Sequence, residues 1–458
     1  YTLNNELGES SRATVTVYVG VEPGQNDTDT GNDEDTDTDG EGDGKEESDS
    51  EDEGDSNTIV MPDNLTDEEA RTFAVIIDAC EQREDNSLPC DKIADQSPGE
   101  TKQLAQQLSG RYAKLQARTM RQRRRQQSNN INSRLQEIRS ARNQISINGL
   151  NAAIMGENLP LGQALQGALR GGSAGDGELI SPWGAFINGK ISMGDSKETD
   201  TRPSYDQDGY DLTLGLDYRF SDTVVLGGAA GFGKSDTDFI SQEGHQDANS
   251  YSLISFANYY PADNLYIDGL AMWTRGDLDV SRSIDVSAIQ QRLSSDTKSR
   301  QLTAATSIGY EINHKRWQSA LFGRLEYSDL NIDSYSETGG SLALNVGKQN
   351  THSFTSTLGT RLGYAFSWSR GVVVPSIELE YINENSGDFN IRNEFADATT
   401  AGDFSINAEE PDTEYMNLGT SASAVFGGGR SAFFRYDRVL LQDGYDFSSY
   451  SVGVRTEF

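Results

Sequence analysis

The chain ends on Tyr450-Ser451-Val452-Gly453-Val454-Arg455-Thr456-Glu457-Phe458. Counting back by twos from the terminal aromatic gives Phe458, Thr456, Val454, Val452 and Tyr450. The residues between them are Glu457, Arg455, Gly453 and Ser451. One face is apolar, and the other is polar or small. A strand has this period when lipid lies on one side and water on the other. An amphipathic edge strand of a soluble protein has the same period. The fold therefore turns on whether the pattern repeats upstream.

It does repeat. Tyr210, Leu212, Leu214, Leu216, Tyr218 and Phe220 alternate with Asp211, Thr213, Gly215, Asp217 and Arg219. Leu302, Ala304, Thr306, Ile308, Tyr310 and Ile312 alternate with Thr303, Ala305, Ser307, Gly309 and Glu311. Phe354, Leu358, Leu362, Tyr364 and Phe366 continue the theme. Strands are expected near 183–195, 206–220, 223–236, 249–261, 264–280, 298–313, 316–330, 352–368, 371–383, 413–427, 430–440 and 448–458. Each reaches the ~9–11 residues that cross a bilayer at a tilt. Short connections such as Ser221-Asp222, His314-Lys315 and Gly427-Gly428-Gly429 alternate with long polar ones at 237–248, 281–297, 331–351 and 384–412. Short turns on the periplasmic side and long loops outside are the asymmetry of outer-membrane barrels. Tyr218, Phe220, Tyr259, Tyr260, Trp317, Trp368 and Phe458 fall near the short turns, where an aromatic girdle marks the interface. A soluble sandwich would not need such long strands, and its outer faces would be polar. The expected fold class is mainly β, an antiparallel transmembrane barrel of about 12 strands.

The totals agree. The 458 residues carry 72 acidic and 38 basic side chains, a net charge of −34, with a mean hydropathy of −0.62. No run of about 18 apolar residues offers a transmembrane helix. Such acidity argues against a nucleic-acid partner, which needs a basic surface. His245, His314 and His352 fall in a loop or at strand ends, with no nucleophile motif. Neither an enzyme nor a cofactor is expected. The chain starts at Tyr1 without an initiator Met or a signal peptide, and reads as the C-terminal part of a longer precursor.

Upstream of the barrel, residues 1–20 lead into the strand Ala13-Thr14-Val15-Thr16-Val17-Tyr18-Val19. This looks like the last hairpin of a bacterial immunoglobulin-like repeat. Residues 21–57 form an acidic, self-repelling linker that cannot bury enough apolar surface to fold. Within it, Asp35, Asp37, Asp39, Asp43 and Glu46 resemble a calcium loop, a pattern that a tract this acidic meets by composition alone. Residues 58–180 read as a helical region. Asp63 or Thr66 can cap its first helix. Cys80 and Cys90 have no histidine nearby to share a metal with, and in an exported chain they pair as a disulfide. Over 99–147 a helical pattern places Leu104, Leu108, Tyr112, Leu115 and Met120 on one side. Arg121-Gln122-Arg123-Arg124-Arg125 follows, with Arg118, Arg134, Arg139 and Arg142 nearby. Acidic walls around the helix best explain so basic a segment in so acidic a protein. Residues 156–180 read as a Gly/Ala-rich connector.

The order now resembles a known family. Ser181-Pro182-Trp183-Gly184-Ala185-Phe186-Ile187-Asn188-Gly189, the strands to Phe458, and Asn130-Ile131-Asn132-Ser133-Arg134-Leu135-Gln136-Glu137-Ile138-Arg139 are similar to the C-terminal translocator domain of autotransporters, the type V secretion proteins. The resemblance implies a barrel spanning 181–458 with a helix near 121–147 left in its pore. It implies export of an N-terminal passenger and a place in the bacterial outer membrane with the N-terminal region outside; the immunoglobulin-like remnant, a departure from the passenger common in the family, suggests a stalk or adhesin. Tyr450, Val452, Gly453, Val454 and Phe458 fit the signal read by the barrel-assembly machinery, from which Thr456 departs. The partners implied are outer-membrane lipid, that machinery, the upstream passenger and an unidentified surface ligand. A porin-like channel for small solutes is the alternative. Arg134, Arg139 and Arg142 are expected to face lumen carboxylates such as Asp211, Asp217, Glu311, Glu326, Glu378 or Glu380. Some secreted relatives cut themselves between two helix asparagines, and Asn129-Asn130 resembles that site. The connector 143–182 is longer than in that group, and an uncut chain is expected.

Overall fold

A computed structural model describes residues 3–4, 10–11, 59, 61–62, 65–81, 88–109, 111–145, 151–154, 157–160, 182–198, 204–240, 244–368, 371–387, 389–397, 402–408, 413–426 and 430–457. The chain divides into Tyr1–Gly54 and Asp55–Phe458. In the first unit, Leu3–Asn4 pairs antiparallel with Ser10–Ser11. The strand expected at 13–19, the linker 21–57, and Asp35, Asp37, Asp39, Asp43 and Glu46 lie outside the described residues. So does Phe458.

The second unit is built on a closed barrel. Its strands are β1 Trp183–Ser196, β2 Tyr205–Arg219, β3 Val224–Phe239, β4 Gly244–Ala262, β5 Leu265–Val286, β6 Ile289–His314, β7 Trp317–Ile332, β8 Gln349–Tyr364, β9 Gly371–Ser386, β10 Glu414–Phe426, β11 Arg430–Leu440 and β12 Tyr445–Glu457. Phe366–Trp368 carries β8 onward alongside β9. Each strand pairs antiparallel with the next, and β12 closes on β1 from Tyr445↔Ser196 to Glu457↔Gly184. Closure leaves no edge with unpaired backbone groups, a condition for crossing lipid. At this seam Gly453 faces inward, where a Cβ would collide with the Phe433 ring and the Asn188 amide. Tyr450, Val452 and Val454 face outward, about half exposed.

Alternation sets which side chains meet lipid. On β2, Tyr210, Leu212, Leu214 and Leu216 are exposed, while Asp211, Thr213 and Asp217 are buried. That is the inverse of a soluble sheet, and it holds over about the 9–11 residues of a tilted crossing. On β6 the outward side chains from Leu302 to Ile312 are apolar except Thr306, then become Arg300, Lys298, Asp296, Ser294, Arg292 and Gln290 toward the long loops. The inward side chains change the opposite way. Leu293 and Ile289 on β6, and Leu278, Val280, Ile284 and Val286 on β5, are buried. Above the bilayer the strands thus behave as a soluble sheet with an apolar inner face. This corrects the expectation of a polar loop at 281–297. β5 and β6 run on for 22 and 26 residues, and the turn between them lies at Ser287, φ 50°. Likewise 331–351 and 384–412 carry the short strands Tyr335–Ser336, Leu344–Val346, Phe389–Phe395 and Asp403–Ala408, which form a four-stranded sheet.

At the other end, Trp183 packs on Tyr218 at 4.8 Å and Trp317 on Tyr364 at 4.9 Å, while Trp368 neighbours Phe426. Tyr260 does not join this belt. It faces inward, 5% exposed, and packs with Tyr266 and Phe322. Tyr259 takes the outward position beside it, and period two sends its neighbour to the lumen.

Among the described residues, four helices precede the barrel: α1 Asp67–Glu81, α2 Cys90–Ala94, α3 Pro98–Leu108 and α4 Arg111–Ile145. The segment 58–180 also holds a hairpin pairing Asn151–Ile154 with Glu157–Pro160. Capping boxes start α1 and α3. The Thr66 amide donates to the Glu69 carboxylate at 2.8 Å, and Ser97 and Glu100 exchange the same contacts. Each cap is worth about 1 kcal/mol. Phe73, Ile76, Leu88, Ile93, Leu104 and Leu108 are buried in one core with the inward apolar side chains of β5 and β6 and with Leu344, Ile391, Phe395, Phe404 and Ile406. The three short helices are therefore a folded cap on the long-loop mouth. Cys80 and Cys90 form a disulfide within it. Loop-closure entropy for their separation of 10 residues is worth about 2–3 kcal/mol. Replacing both cysteines by serine is expected to speed hydrogen exchange in α1 and expose it to protease, while the barrel keeps its heat-modifiable gel mobility. Equal α1 protection with and without the disulfide would contradict this.

Candidate functional site: the plugged lumen

Helix α4 is 35 residues long, about 50 Å at 1.5 Å per residue, and passes through the barrel. It carries nine arginines and one lysine against one glutamate. Ala113, Ala117, Met120, Ile131, Leu135 and Ile138 are buried, but so are Arg121, Arg123, Arg124, Arg134 and Arg139. So much buried cation demands partners, because an unpaired buried charge costs several kcal/mol.

The inward residues of the strands supply them. Arg123 Nη2 lies 2.9 Å from Asp211 and donates to the Tyr210 carbonyl. Arg124 reaches Glu326 at 2.6 Å and Glu384 at 3.4 Å, and Arg125 also pairs with Glu384. Arg134 Nη2 lies 2.6 Å from Asp217, and its Nη1 holds Glu137 one turn on at 3.0 Å. Arg139 pairs with Asp268 and stands 3.9 Å from Glu311. Aromatic faces complete the cradle, with Phe186 under Arg134 and Tyr266 under Arg139. Gly233 makes room for the Arg123 guanidinium, since a Cβ there would collide with it.

Of the six expected carboxylates, Asp217 meets Arg134 and Glu311 stands near Arg139, whereas Asp211 and Glu326 face the helix at Arg123 and Arg124 instead. Glu378 and Glu380 turn to cations of the wall instead. Glu378 pairs with Arg435 at 2.9 Å and Arg361 at 3.9 Å, and Glu380 with Arg324 at 3.5 Å. These arginines belong to the barrel wall, on β7, β8 and β11. Alternation placed Glu378 and Glu380 in the lumen, but it carries no information on which cation lies opposite. Asp268 and Glu384 were missed for the same reason, although both are acidic residues on inward faces. The Arg142 side chain lies outside the described residues. Among the described residues, gaps of about 20 and 80 Å³ lie between helix and wall.

Asn129 lines both gaps, and Glu380 lines them too. Asn130 is fixed instead. Its side chain donates to Thr213 Oγ1 at 3.0 Å, and its carbonyl accepts from Asn188 Nδ2 at 3.1 Å.

Outside the membrane, His245 Nδ1 contacts Asp238 at 2.7 Å and Nε2 contacts Asp247 at 3.2 Å. Both ring nitrogens are taken by carboxylates, leaving none to activate a hydroxyl. Burial acts to lower the His245 pKa, but the two carboxylates outweigh it and the net shift is upward. A raised pKa stabilises the folded state below the ordinary histidine value, and that contribution fades as pH rises through the shifted one. Asp247, hydrogen-bonded by Asp236, Lys234 and His245, is held down to about 2. Asp236, His245 and Asp247 are close enough to share a cation, but Lys234 Nζ already sits 3.1 Å from both carboxylates.

The fold and its contents define a plugged, twelve-stranded outer-membrane barrel. A family model described as the autotransporter beta-domain matches residues 185–437, more than half of the chain. The chain belongs to the autotransporter family, and its barrel is a translocator domain of the bacterial outer membrane. Esterase EstA of Pseudomonas aeruginosa is 28% identical over 194 residues, 41% of this chain and 30% of that protein. Outer membrane protein A of Rickettsia conorii is 23% identical over 253 residues, 52% of this chain and 12% of that one. The chain spans a third or less of the length of these curated relatives. Among solved structures, the translocator domain of autotransporter NalP from Neisseria meningitidis aligns with a TM-score of 0.48 and 19% identity, covering 60% of this chain and 89% of that one. The beta domain of the Bordetella autotransporter BrkA gives 0.47 and 15%, covering 61% and 100%.

Reversing Arg123, Arg124, Arg134 and Arg139 to glutamate is expected to expel the helix. Single-channel conductance in a planar bilayer should then rise to that of a barrel lacking 111–145. A current unchanged from the intact chain would show that the ion pairs do not hold the plug.

Proposed function

We propose that this chain is the exporting and anchoring end of a longer surface protein, and that it displays whatever lies upstream of Arg111. The direction of α4 carries this reading. Arg123 meets Asp211 toward the long-loop end of β2, and Arg134 meets Asp217 toward the short-turn end. The helix therefore enters at the long-loop mouth, and the chain before it emerges on that side. The cap built by α1 to α3 sits there too. Short turns face the periplasm in such barrels, so the upstream segment lies outside the cell.

In this reading residues 181–458 are the barrel, 58–180 the segment joining it to the surface, 21–57 an extended acidic spacer and 1–20 the end of an immunoglobulin-like repeat. The spacer and the lumen wall carry the same sign, so the wall has no hold on the spacer as it passes. The arginine-rich segment is the opposite case and stops where the carboxylates stand. The immunoglobulin-like end supports an adhesin-like passenger on a stalk. The barrel-assembly machinery would read the terminal strand. The esterase among the relatives brings no hydrolytic step to this reading.

Asn129-Asn130 stays uncut in this account, because Asn130 is tied to the wall through both its side chain and its carbonyl. An epitope placed before Ala13 is expected to be reached by antibody on intact cells. It should stay with the outer-membrane fraction at full-length mass, in wild type and in Asn129→Asp alike. An epitope found only after cell lysis would overturn the display. A wild-type fragment starting at Asn130, absent from the variant, would overturn the anchoring.

A further inference from the structure

The outward surface of the barrel changes chemistry at one level of the sheet. On β5 and β6 the last lipid-facing pair is Trp273 opposite Leu302, both exposed. The next outward pair toward the long loops is Arg275 opposite Arg300, and both are exposed. On the flanking strands Tyr251 stands opposite Arg275, and Asn331 opposite Arg300. One level higher, Lys298 is exposed opposite Asp277.

Like charges directly opposed on one face, with Cβ atoms about 5 Å apart, destabilise a strand pair. The protein relieves little of this. Arg300 Nη2 contacts Asp333 Oδ1 at 3.1 Å, with both side chains largely in solvent. Such a surface pair is worth about 0–1 kcal/mol. Arg275 makes no hydrogen bond or ion pair among the described residues. The setting sharpens the contrast. Two levels above the arginines, Asp208, Asp236, Asp247, Asp279 and Asp296 follow one another through consecutive cross-strand pairs. In a chain of net charge −34, the opposed cations stand just where the apolar belt ends and lipid headgroups begin.

We propose that Arg275, Arg300 and Lys298, with the Tyr251 hydroxyl, bind the phosphate of an anionic lipid headgroup in the outward leaflet. Planar guanidinium groups match phosphate oxygens in bidentate fashion, and a shared oxyanion turns the repulsion of the arginine pair into attraction. Lys298 adds a point charge from above. Tyr251 brings a hydroxyl at interface height. Trp273 and Leu302 lie directly beneath and meet the acyl chain of the same molecule. A lipid uses both levels, whereas a free phosphate uses only the upper one. The site rests on the outer-membrane placement of the barrel and not on the display of a passenger.

The full chain is reconstituted in phosphatidylcholine bilayers doped with a phosphorylated glycolipid, extracted in mild detergent and weighed by native mass spectrometry. The wild type should retain the phosphorylated lipid and not its dephosphorylated counterpart, even under excess inorganic phosphate. Arg275→Gln with Arg300→Gln should lower occupancy about tenfold. Arg292→Gln, an outward change farther from the membrane, should leave it unaltered. Heat-modifiable gel mobility confirms that each variant is folded. Equal retention by the double variant, equal retention of the dephosphorylated lipid, or displacement by inorganic phosphate would each overturn the proposal.

Discussion

The ion pairs between α4 and the inner wall are the constraint on which the rest of the structure depends. A lumen lined by carboxylates such as Asp211, Asp217, Asp268, Glu311, Glu326 and Glu384 repels itself. A helix carrying Arg121 to Arg125, Arg134 and Arg139 is unstable alone for the same reason. Each is the other's counterion. Desolvating both sets is costly, and the gain is recovered only with good geometry. The short contacts of Arg123 and Arg134 meet that condition, and so does the stacking of Arg134 and Arg139 on aromatic rings. A plug held by charge differs from one held by apolar packing. It fixes where along the chain the helix stops, because this register brings Arg123, Arg124, Arg125, Arg134 and Arg139 to carboxylates.

Below the outer membrane surface the strands carry polar groups inward for the helix and apolar groups outward for lipid. Above it they turn apolar inward, and the cap helices take the place of the arginine helix as the buried partner. The switch occurs between Trp273 and Arg275 on β5 and between Leu302 and Arg300 on β6. One barrel thus supports two interiors, a charged one within the bilayer and an oily one outside. The cap's core buries the very side chains that would otherwise line an open mouth.

Much of this is written in the residues. Period-two alternation located twelve strands, and the arginine run announced a helix among carboxylates. What stayed hidden has physical causes. The tip of the β5–β6 hairpin, 281–297, was read as a loop because its outward residues are polar, and its few apolar residues, Ile284, Val286, Ile289 and Leu293, face inward and not toward lipid. The cap read only as a helical region because its apolar residues, Phe73, Ile76, Leu104 and Leu108, bury themselves against strands distant in sequence. Tyr260 was assigned to the girdle because nearness to a turn does not tell which face a side chain takes. Glu378 and Glu380 were given to the helix because alternation shows that a carboxylate is inside without showing which cation it meets.

The account stands or falls on direct coupling between the helix and the wall. A double-mutant cycle on Arg134→Gln and Asp217→Asn, read by hydrogen exchange of the α4 amides in the full-length chain, measures it most directly. Each single change should loosen the helix, because a buried charge loses its partner. The double change should cost less than the sum of the two, by about 1–3 kcal/mol. Strict additivity would mean that Arg134 and Asp217 act independently and that something other than charge pairing keeps the helix in the barrel.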